Sequence, residues 1–344
     1  MLLPFLKMEA HQDTTAKSTY LTALDSLRAF AALSVCFYHF VYTTIGFIQT
    51  GWVRDLFYEG KAGVQTFFVI SGFVIPWSMH QAGFKFRNVG SFLLKRITRL
   101  EPPYLFSIVL ALAIYYMREK WLGRSNDHMQ VTGLQILLHI GYLIPWFEGF
   151  TWLNQVYWTL CVEFQYYLFI GLLFLPLVNG TKFLRWILLL SILAISRIGS
   201  SEFLLFWLPV FLIGIGLFLN KTAKFSKLEF GLLNAVLVVI CYLQYGLACT
   251  LFSLLPVLVL LLWPHLKVKG LHQIGQFSYS LYLIHPLLGA SFINILSHHC
   301  NTPLQKLAVL VSGIILTLVG AWAMYRFIEK PSKRLSSSIQ YTIH

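Results

Sequence analysis

The sequence predicts an all-α, polytopic membrane protein, a helical bundle of about ten transmembrane helices with both termini in the cytoplasm. Of its 344 residues, 57% are hydrophobic and only 11% are charged, and the mean hydropathy is +0.69. A soluble domain carries about 25% charged residues. The 26 Lys and Arg outnumber the 13 Asp and Glu. They lie in short loops between apolar runs, a placement that indicates membrane topology and argues against a nucleic-acid partner.

Apolar runs along the chain define the predicted spans. About 20 residues are needed to cross a bilayer, and we expect the shorter runs to cross with snorkelling ends. Pro102-Pro103 is expected to open the third span, and the weakest span is the short fifth one, which contains Arg185. The spans are 24–47, 63–82, 104–117, 157–178, 183–196, 203–220, 230–245, 247–264, 272–296 and 307–325.

Charge placement predicts the orientation. The loop 83–100 is rich in Lys and Arg and has no acid, so the positive-inside rule places it in the cytoplasm, together with the N-terminus. Residues 133–146 are mostly apolar but short, which suits a re-entrant or interfacial segment better than a span. If this segment crossed, the basic residues of the later cytoplasmic loops would lie outside, so we expect that it does not cross.

A single membrane domain is expected. It covers residues 24–328, between a cytoplasmic N-terminal tail (1–23) and a cytoplasmic C-terminal tail (329–344) that is too short to fold alone. No apolar run followed by a small-residue cleavage site opens the chain, so no signal peptide is expected. The five cysteines form no CxxC, and His298, His299 and Cys300 are adjacent, a spacing that rarely holds one ion. No metal is therefore expected.

The first span carries ionisable residues at membrane depth. Asp25, Arg28 and His39 lie within residues 24–47. Eleven helical steps of about 100° bring His39 to within about 20° of Arg28, and Asp25 lies on the same face. An ionisable residue inside a span is costly and indicates a functional site, and imidazole suits proton removal from an alcohol. The alternatives are that Arg28 is a cytoplasmic anchor and that His39 is a hydrogen-bonded packing residue.

Glu163 is another ionisable residue inside a predicted span. At 1.5 Å per residue it lies about 9 Å below the outer face, and His39 lies about 10 Å below the same face. Equal depth would allow a carboxylate–imidazole pair, which orients the ring and holds its tautomer. The alternative is that Glu163 forms hydrogen bonds in the bundle for structural reasons.

Two further groups of residues are candidates for the site. Arg96 and Arg99 are spaced i, i+3 beside Lys95, and guanidinium forks suit phosphate oxygens, although a solvated anchoring cluster is the alternative. Polar groups in two other spans could line a path or donate to an oxyanion, or could equally form interhelical hydrogen bonds. These polar candidates are Ser71, Tyr279, Tyr282 and His285.

Six stretches in order along the chain resemble the integral-membrane acyltransferase-3 family. The resemblance implies about ten helices that enclose a path between the membrane faces. Members move an acyl group, usually acetyl, from cytoplasmic acyl-CoA to a hydroxyl of an envelope or exported carbohydrate or a related acceptor. The stretches are LDSLRAFAALSVCFYH (24–39), GVQTFFVISGFVIP (63–76), FLLKRITRLEPPY (92–104), YWTLCVEFQYYL (157–168), FSYSLYLIHPLL (277–288) and FIEKPSKR (327–334).

The resemblance also implies roles for the candidate residues. Arg28 and His39 match the family's Arg, ten residues, His pattern, with His39 as base. Arg96-x-x-Arg99, with Lys95, would hold the CoA nucleotide of an acyl-CoA donor, here acetyl-CoA.

The expected partners are that donor, a carbohydrate or glycolipid acceptor and the lipid bilayer of a bacterial inner membrane. No SGNH-type hydrolase domain, which some members append, is evident in the sequence. The chain is therefore expected to act alone or with a separate partner.

Other function classes are compatible with parts of the sequence. A proton-coupled transporter or lipid-linked sugar translocator would use His39 and Glu163 as a relay. Transporters often contain two related halves, which this sequence does not show. A structural or sensory membrane protein would leave Arg96 and Arg99 unexplained. The sequence therefore favours an O-acyltransferase.

Overall fold

The computed structural model describes residues 21–44, 47–48, 51–122, 131–196 and 198–341. These residues form helices joined by turns, and no β-strand occurs among them. Residues 1–20 of the predicted N-terminal tail and residues 342–344 of the predicted C-terminal tail lie outside the described ranges. The all-α class is confirmed.

The helices begin and end where the sequence supplies capping residues and turns. Ser226 with Glu229, and Thr302 with Gln305, form capping boxes that satisfy backbone N–H groups at two helix starts. Among the described residues, π-helical segments follow α1, α12 and α14 at Tyr38–Tyr42, Pro286–Ala290 and Tyr325–Glu329. The α-helices are α1 (Ala23–Phe37), α2 (Trp52–Tyr58), α3 (Gly63–Gln81), α4 (Val89–Leu122), α5 (Gly133–Ile140), α6 (Tyr157–Asn179), α7 (Lys182–Ile195), α8 (Leu204–Lys221), α9 (Lys227–Tyr245), α10 (Leu247–Leu262), α11 (Lys269–Gln276), α12 (Ser278–Ile284), α13 (Ser291–Ser297), α14 (Pro303–Met324) and α15 (Lys330–Ser338).

In the described part of the chain, 8 helical stretches are long and apolar enough to cross a membrane. They confirm an integral, multi-pass membrane protein. Helices α7, with 14 residues, and α10, with 16, are shorter, so the complete set of ten spans stays a prediction. The long stretches are Ala23–Tyr42, Trp52–Gln81, Phe86–Arg118, Tyr157–Asn179, Leu204–Lys221, Lys227–Tyr245, Ser278–Ser297 and Pro303–Ser338.

Helix α4 differs from the sequence prediction. The third span was expected to open at Pro102-Pro103, but α4 is one helix of 34 residues that contains both prolines. Each proline removes one backbone N–H from the helix. Membrane helices tolerate such prolines where neighbouring groups satisfy the freed backbone. Arg96 and Arg99 therefore lie within a continuous helix instead of in a loop before one.

The core of the bundle is built on close backbone contacts at glycines. A Cβ atom on Gly214 of α8 would overlap the Val69 carbonyl oxygen of α3 and lie 2.8 Å from the backbone of Gly72. Helix α1 is held in the same way, because a Cβ on Gly275 of α11 would overlap the backbone of Asp25. A third contact joins α1 and α3, because a Cβ on Gly63 at the start of α3 would lie 2.5 Å from the Ala31 carbonyl oxygen of α1.

Candidate active site

An elongated cavity of about 530 Å³ runs beside α3 and is walled by α1, α4, α6, α11, α12 and α15. Its lining follows α3 from Val64 to Gln81, which is about 25 Å at 1.5 Å per residue. The volume lies in the range of small-molecule sites. Basic side chains line the end near Gln81, and aromatic and aliphatic side chains line the end near Val64. The basic residues are Arg28, Arg96, Arg99 and Lys333.

The predicted phosphate-binding arginines both line this cavity, but Lys95 does not. Arg96 Nη2 donates to Ser78 Oγ at 2.9 Å, and its buried Nε has no hydrogen-bond partner among the described residues. Lys95 Nζ instead donates to the Ile339 carbonyl oxygen at 3.2 Å. The reason is helical geometry: Arg96 and Arg99 share a face at i, i+3, whereas Lys95 is rotated by about 100° from Arg96.

Glu163 lies in the middle of the cavity wall. Its Oε1 accepts hydrogen bonds from Tyr167 Oη at 2.6 Å and from Ser71 Oγ at 3.2 Å. These hydroxyls come from α6 and α3, so the carboxylate joins the two helices at membrane depth. Both Glu163 and Ser71 line the cavity, and Ser71 also makes the interhelical hydrogen bond that the sequence left open as the alternative.

Arg28 lies at the basic end of the cavity, with Asp25 beside it. Arg28 Nη1 is 3.9 Å from Asp25 Oδ1, and Asp25 Oδ2 is 3.2 Å from His272 Nδ1. Arg28 and His39 are eleven residues apart, which is about 16 Å along the helix. At that separation the two side chains cannot contact the same reacting atoms.

Tyr279 and Tyr282 of α12 line the cavity. Tyr279 Oη donates to the Leu100 carbonyl oxygen at 3.0 Å, close to the Pro102-Pro103 pair. Tyr282 Oη lies 3.0 Å from Thr159 Oγ1, and its ring packs against Phe67 with centroids 5.5 Å apart. Tyr282 and Phe67 therefore stand at the apolar end of the cavity.

His39 lies beyond this end and is not among the cavity-lining residues. Its side chain is buried, with 7% exposed, and its ring centroid is 5.1 Å from that of His285. The expected pair with Glu163 is not formed, since no hydrogen bond or ion pair joins the two residues in the described structure. Counting residues predicts depth along each helix but not the direction in which a side chain points. Glu163 points into the cavity, and His39 points towards His285.

Two site residues were not singled out by sequence reasoning, although they belong to the quoted FIEKPSKR stretch. Glu329 is 1% exposed, and its Oε2 accepts from Ser280 N and Ser280 Oγ at 3.1 and 2.6 Å. Lys333 Nζ lies 2.6 Å from Glu329 Oε1 and also donates to the Gln276 carbonyl oxygen at 3.0 Å. The i, i+4 spacing of this acid and base was the signal that could have identified the pair.

The segment predicted as a C-terminal tail, residues 329–344, contains this pair. Its helix, α15, packs against α4, where Ser336 Oγ donates to the Lys95 carbonyl oxygen at 2.7 Å. This packing carries Lys333 to the basic end of the cavity.

No group of three or more His, Cys, Asp or Glu that could hold a metal ion occurs among the described residues. His139, in the segment 133–146, is fully partnered instead. Its Nε2 accepts from Leu153 N at 2.9 Å, its Nδ1 donates to the Gln135 carbonyl oxygen at 2.7 Å, and burial lowers its pKa. His139 is therefore a neutral structural histidine.

A comparison of the sequence with protein families shows which family the chain belongs to. The Acyltransferase domain family, Acyl_transf_3, matches residues 21–326, which include the whole helical bundle up to the last π-helical segment. The chain belongs to the acyltransferase-3 family. The matched region contains Arg28, His39, Arg96, Arg99 and Glu163, whereas Glu329 and Lys333 follow it.

Curated relatives are distant O-acetyltransferases. The chain is 24% identical over 380 residues to O-acetyltransferase OatA of Staphylococcus aureus, an alignment that covers 92% of this chain and 57% of OatA. It is 25% identical over 375 residues to a putative O-acetyltransferase of Staphylococcus aureus strain COL, covering 92% and 58%. The chain thus spans little more than half the length of these relatives. No solved structure matches it significantly.

Proposed function

We propose that this acyltransferase-3 protein is a membrane O-acyltransferase that moves an acyl group, most simply acetyl, from cytoplasmic acyl-CoA to a hydroxyl of an envelope or exported carbohydrate. The observation that carries the proposal is the elongated cavity. It begins among basic side chains and continues for about 25 Å along α3 towards His39. Family membership and the O-acetyltransferase relatives support the reaction type.

The basic end of the cavity suits the nucleotide of CoA. Arg96 and Arg99 approach from α4, Arg28 from α1 and Lys333 from α15. Phosphate oxygens pair well with guanidinium groups, and the unpartnered Arg96 Nε offers a further donor. Arg28 is thereby assigned to donor binding instead of to the reacting atoms, because it lies about 16 Å from His39 along the helix. Lys95 is not part of this site.

The chemistry takes place at the other end, near His39. The acceptor oxygen attacks the thioester carbonyl carbon while His39 takes the hydroxyl proton. Tyr282 Oη donates to the oxyanion, whereas Ser71 Oγ donates to Glu163 in the middle of the cavity wall. When the tetrahedral intermediate collapses, the C–S bond breaks and the sulfur takes the proton from His39, which leaves an ester and free CoA. Tyr282 lines the apolar end of the cavity, and its ring centroid lies 5.8 Å from that of His285, which is itself 5.1 Å from that of His39.

Transfer of label tests the proposed function. Purified protein in lipid vesicles is incubated with radiolabelled acetyl-CoA and candidate envelope glycans or glycolipids. The label should appear in the glycan as a base-labile ester. Vesicles in which acetyl-CoA binds but no glycan, glycolipid or other hydroxyl compound becomes labelled would overturn the proposal and favour a transporter.

We further propose ten spans with both termini in the cytoplasm of a bacterial inner membrane. Side-chain contacts support it: Phe84, in the predicted cytoplasmic loop, packs against Phe174 near the end of α6 at 5.5 Å. The start of α4 and the end of α6 therefore lie at the same end of the bundle. Between them, α5 has only eight residues, too few to cross.

A reporter fused after Lys182 should therefore report a cytoplasmic location. Arg185 Nη1 donates to the Lys224 carbonyl oxygen at 2.8 Å, which holds the turns before α7 and before α9 at one end of the bundle. A second fusion after Asn301 serves as the control and should report the outside. The topology is wrong if the Lys182 fusion is active only outside the cytoplasm.

Replacing Arg96 and Arg99 with alanine should raise the apparent KM for acyl-CoA while the protein still inserts in the membrane. Each charge-assisted hydrogen bond contributes about 1.5–3 kcal/mol, so a loss of at least tenfold in apparent affinity is expected. Part of this affinity should also fall with added salt in the wild type, because salt screens exposed charges. Steady-state kinetics against acetyl-CoA at two salt concentrations measure both effects.

Arg87→Ala is the matched control, since Arg87 is an exposed cation that does not line the cavity. It should leave the KM unchanged. If the Arg96/Arg99 double variant binds acyl-CoA like the wild type, the nucleotide lies elsewhere.

A further inference from the structure

His39 and His285 each lie at a π-helical turn, and the two turns pack against each other. Thr43 N donates to the Tyr38 carbonyl oxygen at 3.3 Å, and Ala290 N donates to the His285 carbonyl oxygen at 3.0 Å, both five residues apart. Single π-helical turns are rare and are frequently found at functional sites. Here they bring two imidazole rings together, with centroids 5.1 Å apart.

The sequence His285-Pro286 fixes the tautomer of His285. In an α-helix, the carbonyl of Tyr282 would accept from the N–H of residue 286, but proline has no N–H. His285 Nδ1 lies 2.8 Å from this freed carbonyl oxygen. Since a carbonyl only accepts, Nδ1 carries the proton, and the other ring nitrogen of neutral His285 presents a lone pair.

That second nitrogen, Nε2, is buried without a partner. His285 is 0% exposed, and Nε2 has no hydrogen-bond partner among the described residues. Buried polar atoms in proteins are almost always paired. His139 is the contrast within this chain, because both of its ring nitrogens have partners. The unused acceptor of His285 lies beside His39.

We propose that His285 is a positioning residue for His39. In the catalytic conformation, His285 Nε2 accepts the N–H of His39, which leaves the other nitrogen of His39 as the base for the acceptor hydroxyl. His285 thereby takes the orienting role that the sequence suggested for Glu163. When His39 becomes positively charged, the same hydrogen bond stabilises it, and the proton then leaves with the CoA sulfur. This inference rests on the proposed function, because its kinetic test measures acyl transfer.

Two amide substitutions separate positioning from packing. In His285→Asn, the side-chain NH₂ can replace Nδ1–H at the Tyr282 carbonyl, but nothing replaces Nε2. In His285→Gln, the longer side chain places an amide oxygen near the position of Nε2, where it can accept from His39. We expect kcat to fall by about 10²-fold in His285→Asn, the lower end of what a general base contributes. His285→Gln should recover much of this loss, and the KM for acyl-CoA should stay constant in both.

A merely structural His285 predicts the opposite order, because asparagine preserves the contact to Tyr282 better than glutamine does. Equal kcat values in the two variants, or a wild-type kcat in His285→Asn, would overturn the proposal. Near-native membrane expression of both variants is required, and a variant that fails to fold is replaced by the spectroscopic test below.

¹⁵N NMR of histidine-labelled protein in bilayers tests the inference without any acyl transfer. The His39 signals, assigned by their loss in His39→Ala, should show one neutral tautomer in the wild type. His139 serves as the internal reference for a ring protonated at Nδ1. A mixture of His39 tautomers in the wild type would overturn the positioning role, whereas an inactive wild type with a single tautomer would overturn only the proposed function.

Discussion

Replacing His39 with alanine should abolish detectable acyl transfer. A general base typically contributes about 10²–10⁴ in rate. We do not expect His285 to replace it, because in the proposed arrangement its free nitrogen, Nε2, accepts from His39 and His285 is 0% exposed. Binding of acyl-CoA should persist, since His39 does not line the cavity.

The measurement is transfer of labelled acetyl at matched membrane expression, together with binding of a non-hydrolysable acyl-CoA analogue. His299→Ala is the control, because His299 is exposed on the loop between α13 and α14. It should retain wild-type transfer. Near-normal transfer by His39→Ala would remove the base from the mechanism.

His39, His285 and Glu163 show which features of the site could be predicted from the sequence. Residue counting on predicted helices placed His39 and Glu163 as ionisable residues inside predicted spans, at an equal depth that stays a prediction. It could not predict which way each side chain points, because direction depends on how the helices rotate against their neighbours. Glu163 accepts from Ser71 and Tyr167, and those partners became visible only once α3 and α6 were packed.

For the fold, the sequence predicted the class but not every helix boundary. Composition and the length of the apolar runs were sufficient to predict an all-α, multi-pass protein, because a chain that spans a membrane must satisfy its backbone within helices. Proline at positions 102 and 103 suggested a helix start, but tertiary packing overrides this local preference, and α4 continues through both residues. The role of Lys333 also required packing, since α15 carries it to the cavity from the far end of the chain.

The close approach of α3 and α8 was likewise invisible in the sequence. Small residues let membrane helices pack backbone to backbone, but glycine also occurs at exposed helix positions without any such role. The structure separates the two cases. A Cβ on Gly214 would overlap the backbone of α3, whereas a Cβ on Gly231 of α9 would have nothing within 4 Å.

Gly214→Ala should therefore strongly destabilise the protein. Overpacking in a close-packed interior costs about 1–3 kcal/mol, and sometimes more. Here the larger cost is expected, because the atoms in the way are backbone atoms of Val69 and Gly72 that no side-chain rotation can move. The helices would have to separate, which also displaces the α3 wall that carries Ser71 and Ser78.

Thermal unfolding in detergent, followed by size-exclusion chromatography, measures this effect. Gly214→Ala should lower the midpoint markedly and reduce transfer even at matched expression. Gly231→Ala is the matched control and should be neutral or slightly stabilising, since alanine favours a helix over glycine by about 1 kcal/mol. Equal midpoints for the two variants would mean that α3 and α8 do not meet at Gly72 and Gly214. The cavity wall derived from that contact would then be wrong as well.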